Sequence, residues 1–258
     1  MTGAGVDWSI LGPALAAGLL VTATHVPLGI QVLRRGIVFI DLAIAQIAGL
    51  GVVFADWIGL EPQGWAVQAC ALSAALAGSL LLTWTDRRWP DVQEAVIGVT
   101  FVLAATGALL LLAANPHGGE HLRELLIGQI LWVSPTRLSL VAIVYAALLA
   151  VMFARPLDAG RTLFYVVFAC AATVSVQLVG LYLVFTTLIV PALATRHFGR
   201  YRIAAAYALA AAGYFAGLVV SAITDLPTGP AIVWMMALLA IPVFAFGPRG
   251  RASPAHGG

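Results

Sequence analysis

Apolar residues run through this chain in stretches of bilayer length, separated by short polar clusters. The stretches fall near residues 9–33, 37–59, 65–85, 94–114, 138–154, 163–195, 203–223 and 230–247. A helix needs about 20 apolar residues to cross the hydrocarbon core. Lipid offers the backbone no hydrogen-bond partners, so each stretch predicts a transmembrane helix. The stretch 163–195 is long for one crossing, and both of its ends are basic: Arg161 precedes it, and Arg196, Arg200 and Arg202 follow. If both ends lie on one side, it is two short helices that turn back near Gln177 to Gly180, giving nine crossings. A single tilted helix gives eight. The expected fold class is all-α, a polytopic membrane helical bundle of eight to nine transmembrane helices. Small residues crowd several spans, as in Ala74, Ala75, Ala77 and Gly78, or Ala204 to Ala212. Such residues let helices approach closely where no hydrophobic force drives them together.

Charge gives the expected orientation. The basic clusters are Arg34 with Arg35, Arg87 with Arg88, Arg155 with Arg161, Arg196 to Arg202, and Arg249 with Arg251. Placed inside by the positive-inside rule, they put the N-terminus outside and the C-terminus in the cytoplasm. Trp57, Trp65, Trp84, Trp89 and Trp132 lie near predicted span ends, where interfacial aromatics belong. Residues 1–247 read as one integral-membrane domain, and 248–258 as a flexible polar tail. The segment before the first span has no basic region of the kind a cleaved signal carries, so that span is expected in the mature protein.

Composition narrows the function classes. The chain is 62% hydrophobic and 9% charged, against about a quarter charged for a soluble domain. A net charge of +2 gives no reason to expect nucleic acid as a partner. Cys70 and Cys170 sit in apolar stretches and read as small packed hydrophobes. There is no lysine and hence no G-x-x-x-x-G-K-[ST] loop, so ATP-driven work requires a separate ATPase chain. No hydrolase motif is legible, and the chain is not read as an enzyme.

The candidate chemistry lies in the few polar groups at membrane depth. Asp41 stands inside the stretch Gly36 to Phe54, with Gln46 its other polar residue. A carboxylate there costs about 2.5–3.5 kcal/mol on insertion scales, so it belongs to a cavity, a partner or a pathway. The plainer reading is an acid near a helix start, reaching the interface or pairing with Arg34 or Arg35. Asp41 and Gln46 are about 140° apart around a helix and share no narrow face. Glu94 opens the fourth span, either as a first-turn acid facing the helix dipole or as a pathway group. His25 lies near Pro27, which leaves a backbone carbonyl unbonded, so it is either a ligand or a locally bonded core histidine. His117, Glu120 and His121 bring two imidazoles and a carboxylate into five residues, a donor set suited to zinc or a similar divalent metal. A polar exterior loop is the alternative.

Five stretches together resemble the membrane subunit of zinc/manganese-type ABC importers. They are Leu33 to Gly51; Glu94-Ala95-Val96-Ile97-Gly98; Leu125 to Pro135, similar to "LLFGNILxVSP"; Gln177 to Ala192, similar to "QxVGxLLVxALLVxPAA"; and Asp225 to Val233, similar to "DLPSGPTIV". They occur in family order over about residues 25 to 240. The resemblance implies a permease of a bacterial-type inner membrane, expected to form a homodimer. It implies a cytoplasmic ABC ATPase on each half and an extracytoplasmic metal-binding protein that delivers cargo. The divalent metal is substrate, and no permanent cofactor is expected. Arg155, Asp158, Arg161 and Arg200 are the candidates for ATPase coupling.

Two departures from the family pattern stand out. The family's pathway Asp and His fall at Leu42 and Gln46, so Asp41 is one position early and the imidazole is an amide. Gln is a poor zinc ligand and a fair one for harder cations. Asp41 then replaces the missing acid, with His25 or Glu94 supplying the rest. The segment Arg155 to Arg161 is also shorter than in relatives. Two other functions remain open at this point: a secondary transporter or channel acting alone, and a divergent, non-transporting membrane subunit.

Overall fold

The computed structural model describes residues 8–60, 64–112, 130–155 and 160–247. Among them are nine α-helices: α1 (Trp8–Arg35), α2 (Ile40–Trp57), α3 (Trp65–Arg88), α4 (Gln93–Leu112), α5 (Pro135–Ala154), α6 (Arg161–Val179), α7 (Leu181–Ala194), α8 (Arg202–Thr224) and α9 (Thr228–Phe246). No strand occurs among the described residues. Seven of the described helices are long and apolar enough to cross a bilayer, and α7, with 14 residues, is shorter.

The long stretch 163–195 is two helices. The break is at Gly180, whose backbone has φ 85 and ψ 159, a region that only glycine occupies without strain. The pair turns back on itself. At the start of α6, the Arg35 guanidinium at the end of α1 lies 4.4 Å over the Phe164 ring. Ten residues earlier in α1, His25 meets Ser175 near the end of α6. Thus α6 runs antiparallel to α1. Helix α7 runs the other way: Leu188 and Ala192, near its end, pack on Gly29 of α1. Both ends of the stretch therefore lie at the Arg34–Arg35 end of α1, which is the hairpin alternative.

Helices α1, α6 and α7 form the centre. One apolar cluster joins them to α5, α8 and α9 through Tyr145, Tyr214, Ile232 and Met236. A second joins them to α2, α3 and α4 through Ile40, Ile44, Leu82 and Ile97. The small residues act as expected at several crossings. A Cβ on Gly29 would strike the Leu188 carbonyl oxygen, and one on Gly18 would enter the Tyr214 ring. In contrast, α5 is peripheral, with only Val141 and Tyr145 buried.

Proline shapes α1 from within. Pro27 has no N–H, so the Ala23 carbonyl lacks its helical partner. The Tyr207 hydroxyl of α8 donates to that oxygen at 2.8 Å. Asp225, in the left-handed region at φ 56, ends α8. Ser221 then donates to Leu226 O at 2.8 Å and bonds Thr228 at 2.8 Å, tying α8 to the start of α9.

Most of the described arginines collect at one end of the bundle, with Arg137 in the first turn of α5 the exception. Arg161 pairs with Asp86 at 3.3 Å, joining α6 to the end of α3. Arg87 donates to Thr162 at 2.6 Å, and Arg202 to Ala192 O at 3.4 Å. Arg196 lies 4.4 Å over the Phe244 ring near the end of α9.

Candidate functional site

Asp41 is the second residue of α2 and is 0% exposed. Neither carboxylate oxygen has a hydrogen-bond partner. No hydrogen bond joins it to Arg34 or Arg35. The next residue, Leu42, lines an apolar groove of about 610 Å³ between α2 and α4, with Phe39, Ala95, Gly98 and Val99. The acid of this turn that faces the protein interior is thus Asp41, not its neighbour.

Tyr145, 0% exposed, comes from α5 and hydrogen-bonds Ser175 of α6. Ser175 also contacts His25 Nε2 at 3.2 Å. On its other side, His25 Nδ1 lies 3.0 Å from the Val21 carbonyl and 3.0 Å from Thr24 Oγ1. A carbonyl only accepts, so Nδ1 donates and Nε2 is left to face the Ser175 hydroxyl. Three helices, α1, α5 and α6, thereby bring Thr24, His25, Tyr145 and Ser175 into one buried polar junction. His25 is a bonded histidine within that junction, in keeping with its reading as a core histidine.

Gln46 is half-buried, farther along α2. Glu94 does something different. The Phe39 N–H donates to its Oε1 at 3.3 Å, so it caps the start of α2 as well as opening α4. That matches an acid at helix N-termini, while its Oε2 has no partner. Among the described residues, no group of three or more His, Cys, Asp or Glu is arranged to hold a metal. His117, Glu120 and His121 lie outside the described residues, as does Asp158. Arg155 is exposed at the end of α5. Arg161 is held by Asp86, whose backbone oxygen it also bonds at 2.9 Å. Arg200 bonds the Tyr201 hydroxyl and lies 4.6 Å over its ring, on the exposed connection between α7 and α8.

Tyr145, Ser175 and Thr24 did not stand out in the sequence. Tyr145 carried the one usable signal, as the only polar residue in the middle of a stretch otherwise rich in Leu, Ala and Val.

Residues 7–159 and 155–247 match the ABC 3 transport family, and the chain belongs to it. A relative from Halalkalibacterium halodurans, the manganese transport system membrane protein MntC, is 27% identical over 267 residues, spanning 95% of this chain and 89% of that one. Among solved structures, PsaBC from Streptococcus pneumoniae in complex with Fab shares the fold. Its TM-score is 0.77 at 20% identity, covering 95% of this chain and 94% of that one.

Proposed function

We propose that this chain is the conducting subunit of an ABC importer for a divalent transition metal of the manganese or zinc class. The observation that carries this reading is Asp41, a fully buried carboxylate whose two oxygens have no hydrogen-bond partner. Burying a carboxylate without a partner is costly, and a passing cation supplies the missing charge. Family membership and the manganese transport relative support the cargo class.

In this reading the energy comes from a separate cytoplasmic ATPase, and an extracytoplasmic binding protein delivers the metal. Two copies of the chain form the pathway in the inner membrane. The arginine-rich end faces the cytoplasm, so the N-terminus is outside and the C-terminus inside, in keeping with the positive-inside rule. Arg200 is the coupling residue best placed to meet the ATPase, being exposed on a connection between helices. Arg155 and Asp158 flank the second candidate contact. His117, Glu120 and His121 are proposed as a capture site at the outer mouth.

The test is Asp41→Asn, which keeps shape and removes charge. Uptake of Mn²⁺ or Zn²⁺ by cells relying on this system should be lost, while the protein is still inserted and extracted at normal abundance. Normal uptake by Asp41→Asn overturns the pathway assignment.

A further inference from the structure

The connection between α7 and α8, residues 195–201, is exposed for most of its length and yet wound in successive turns. The Thr195 N–H donates to Pro191 O at 3.2 Å, that of Phe198 to Thr195 O at 3.0 Å, and that of Tyr201 to Phe198 O at 3.2 Å. The buried Thr195 hydroxyl also donates to Pro191 O at 2.8 Å. Gly199 makes the bend at φ 54, which glycine adopts without steric cost. Hydrogen bonds thus give the connection a shape of its own.

The last turn of α9 holds that shape against the bundle. The Phe198 ring lies on the Cα of Gly247, where an added Cβ would come within 2.3 Å of its Cε1 and 2.6 Å of its Cζ. Phe244, one turn earlier in α9, has the Arg196 guanidinium 4.4 Å from its ring centre. Arg196 Nε also donates to His197 Nε2 at 2.8 Å. Beneath them Ala194, Leu209 and Ala240 close an apolar floor between α7, α8 and α9, with Val243 packed on it. Gripped at both Arg196 and Phe198, the connection is held against sliding along α9 and against turning on it.

Helix α9 is locked in turn to α8. A Cβ on Gly217 would meet Ile232 Cα at 2.3 Å, and one on Gly213 would meet Met236 Cβ at 2.8 Å. Ile232 and Met236 belong to the central apolar cluster, with Val184 of α7 and Tyr214 of α8. Rigid elements in close packing carry a displacement from one end to the other.

We propose that the last turn of α9 is the transmission point between the ATPase and the bundle. Phe244 and Gly247 receive, through Arg196 and Phe198, the displacement delivered at the α7–α8 connection. Arg196 and Phe198 are positioning residues, and neither belongs to the metal pathway. The inference rests on the importer reading above and deepens it: docking is the work of the exposed Arg200, and transmission the work of the contact with α9.

Docking and transmission then separate by mutation. Phe198→Ala removes the ring on Gly247, and Phe244→Ala removes the ring under Arg196. The experiment uses the complete transporter, purified with its ATPase and reconstituted in vesicles with its binding protein. ATP hydrolysis and uptake of Mn²⁺ or Zn²⁺, whichever the wild type carries, are measured on the same preparation. Both variants should retain the ATPase at the wild-type level and transport several-fold less metal per ATP hydrolysed, with the KM for metal unchanged. Phe198→Tyr keeps the ring and should restore the wild-type ratio. Phe246→Ala, at an 88% exposed residue of the same turn, is the control and should match wild type.

A merely structural role would lower the amount of protein and leave metal transported per ATP unchanged, and that result overturns the proposal. Loss of the ATPase from both variants also overturns it, since the rings would then serve docking. If one alanine variant fails to accumulate, the other decides. If both fail, Phe244→Leu, which keeps bulk and removes the ring, decides by the same ratio. A wild-type preparation that holds no ATPase, or carries neither metal, sinks the importer reading and the proposal with it.

Discussion

Gly29 and Gly98 show how one substitution takes opposite signs at two helical positions. At Gly29 a methyl group would strike the backbone oxygen of Leu188, which cannot rotate away. Helix α1 would have to separate from α7, and overpacking of this kind costs about 1–3 kcal/mol. At Gly98 nothing lies within 4 Å of an added Cβ, and alanine is favoured over glycine inside a helix by about 1 kcal/mol. Gly29→Ala should therefore lower the melting temperature of the detergent-extracted protein, and Gly98→Ala should leave it level or raise it. Equal shifts for both would show that the α1–α7 contact is not close. Legibility in the sequence divides along similar lines. Asp41 and His25 were visible because charge and imidazole are expensive in an apolar stretch. Ser175 and Thr24 were not, because hydroxyls in membrane helices bond their own helix at little cost. Thr22 to Gly18 O at 2.8 Å, Thr83 to Ser79 O at 2.7 Å and Thr195 to Pro191 O at 2.8 Å are ordinary cases. A hydroxyl that also reaches across helices looks the same in sequence.

At the scale of elements, helix positions were legible almost throughout. The stretches near 65–85, 94–114 and 203–223 became helices of Trp65–Arg88, Gln93–Leu112 and Arg202–Thr224. The stretch 138–154 began three residues early, because Ser134 accepts from the Arg137 N–H at 3.3 Å and Pro135 fits the first turn. What sequence left open was whether 163–195 is one helix or two. Hydropathy is continuous across Gly180, and only the arginines at both ends favoured a hairpin. The backbone of Gly180, φ 85 and ψ 159, supplies the physical answer. Gly180→Ala places a Cβ in a region closed to it, at a cost of about 1–3 kcal/mol. The variant should show a lower melting temperature and faster proteolysis of α7. Wild-type behaviour in both would mean that the turn does not need a glycine.

At the scale of the whole molecule, the gathering of arginines at one end does two kinds of work. Some arginines hold helices together, and others are free to meet a partner. Arg161 belongs to the first kind. It joins α6 to α3 through the Asp86 carboxylate at 3.3 Å and the Asp86 carbonyl at 2.9 Å. With its side chain 47% exposed, the ion pair contributes no more than about 1 kcal/mol. Arg200 belongs to the second kind, since it bonds the adjacent Tyr201 on the exposed α7–α8 connection. This separates two candidates that sequence alone had grouped as coupling residues, because both are simply arginines beside a span. In the importer reading, Arg161→Ala should lower the melting temperature slightly and still bring down the ATPase in a mild-detergent pull-down. Arg200→Glu reverses a charge at the contact surface; it should leave the melting temperature unchanged and reduce the recovered ATPase several-fold. Recovery with Arg200→Glu at the wild-type level would remove the α7–α8 connection from the docking surface. Loss with Arg161→Ala instead would move that surface to the junction of α3 and α6. Wild-type protein that brings down no ATPase, under conditions where an established ABC transporter keeps its own, would sink the coupling itself.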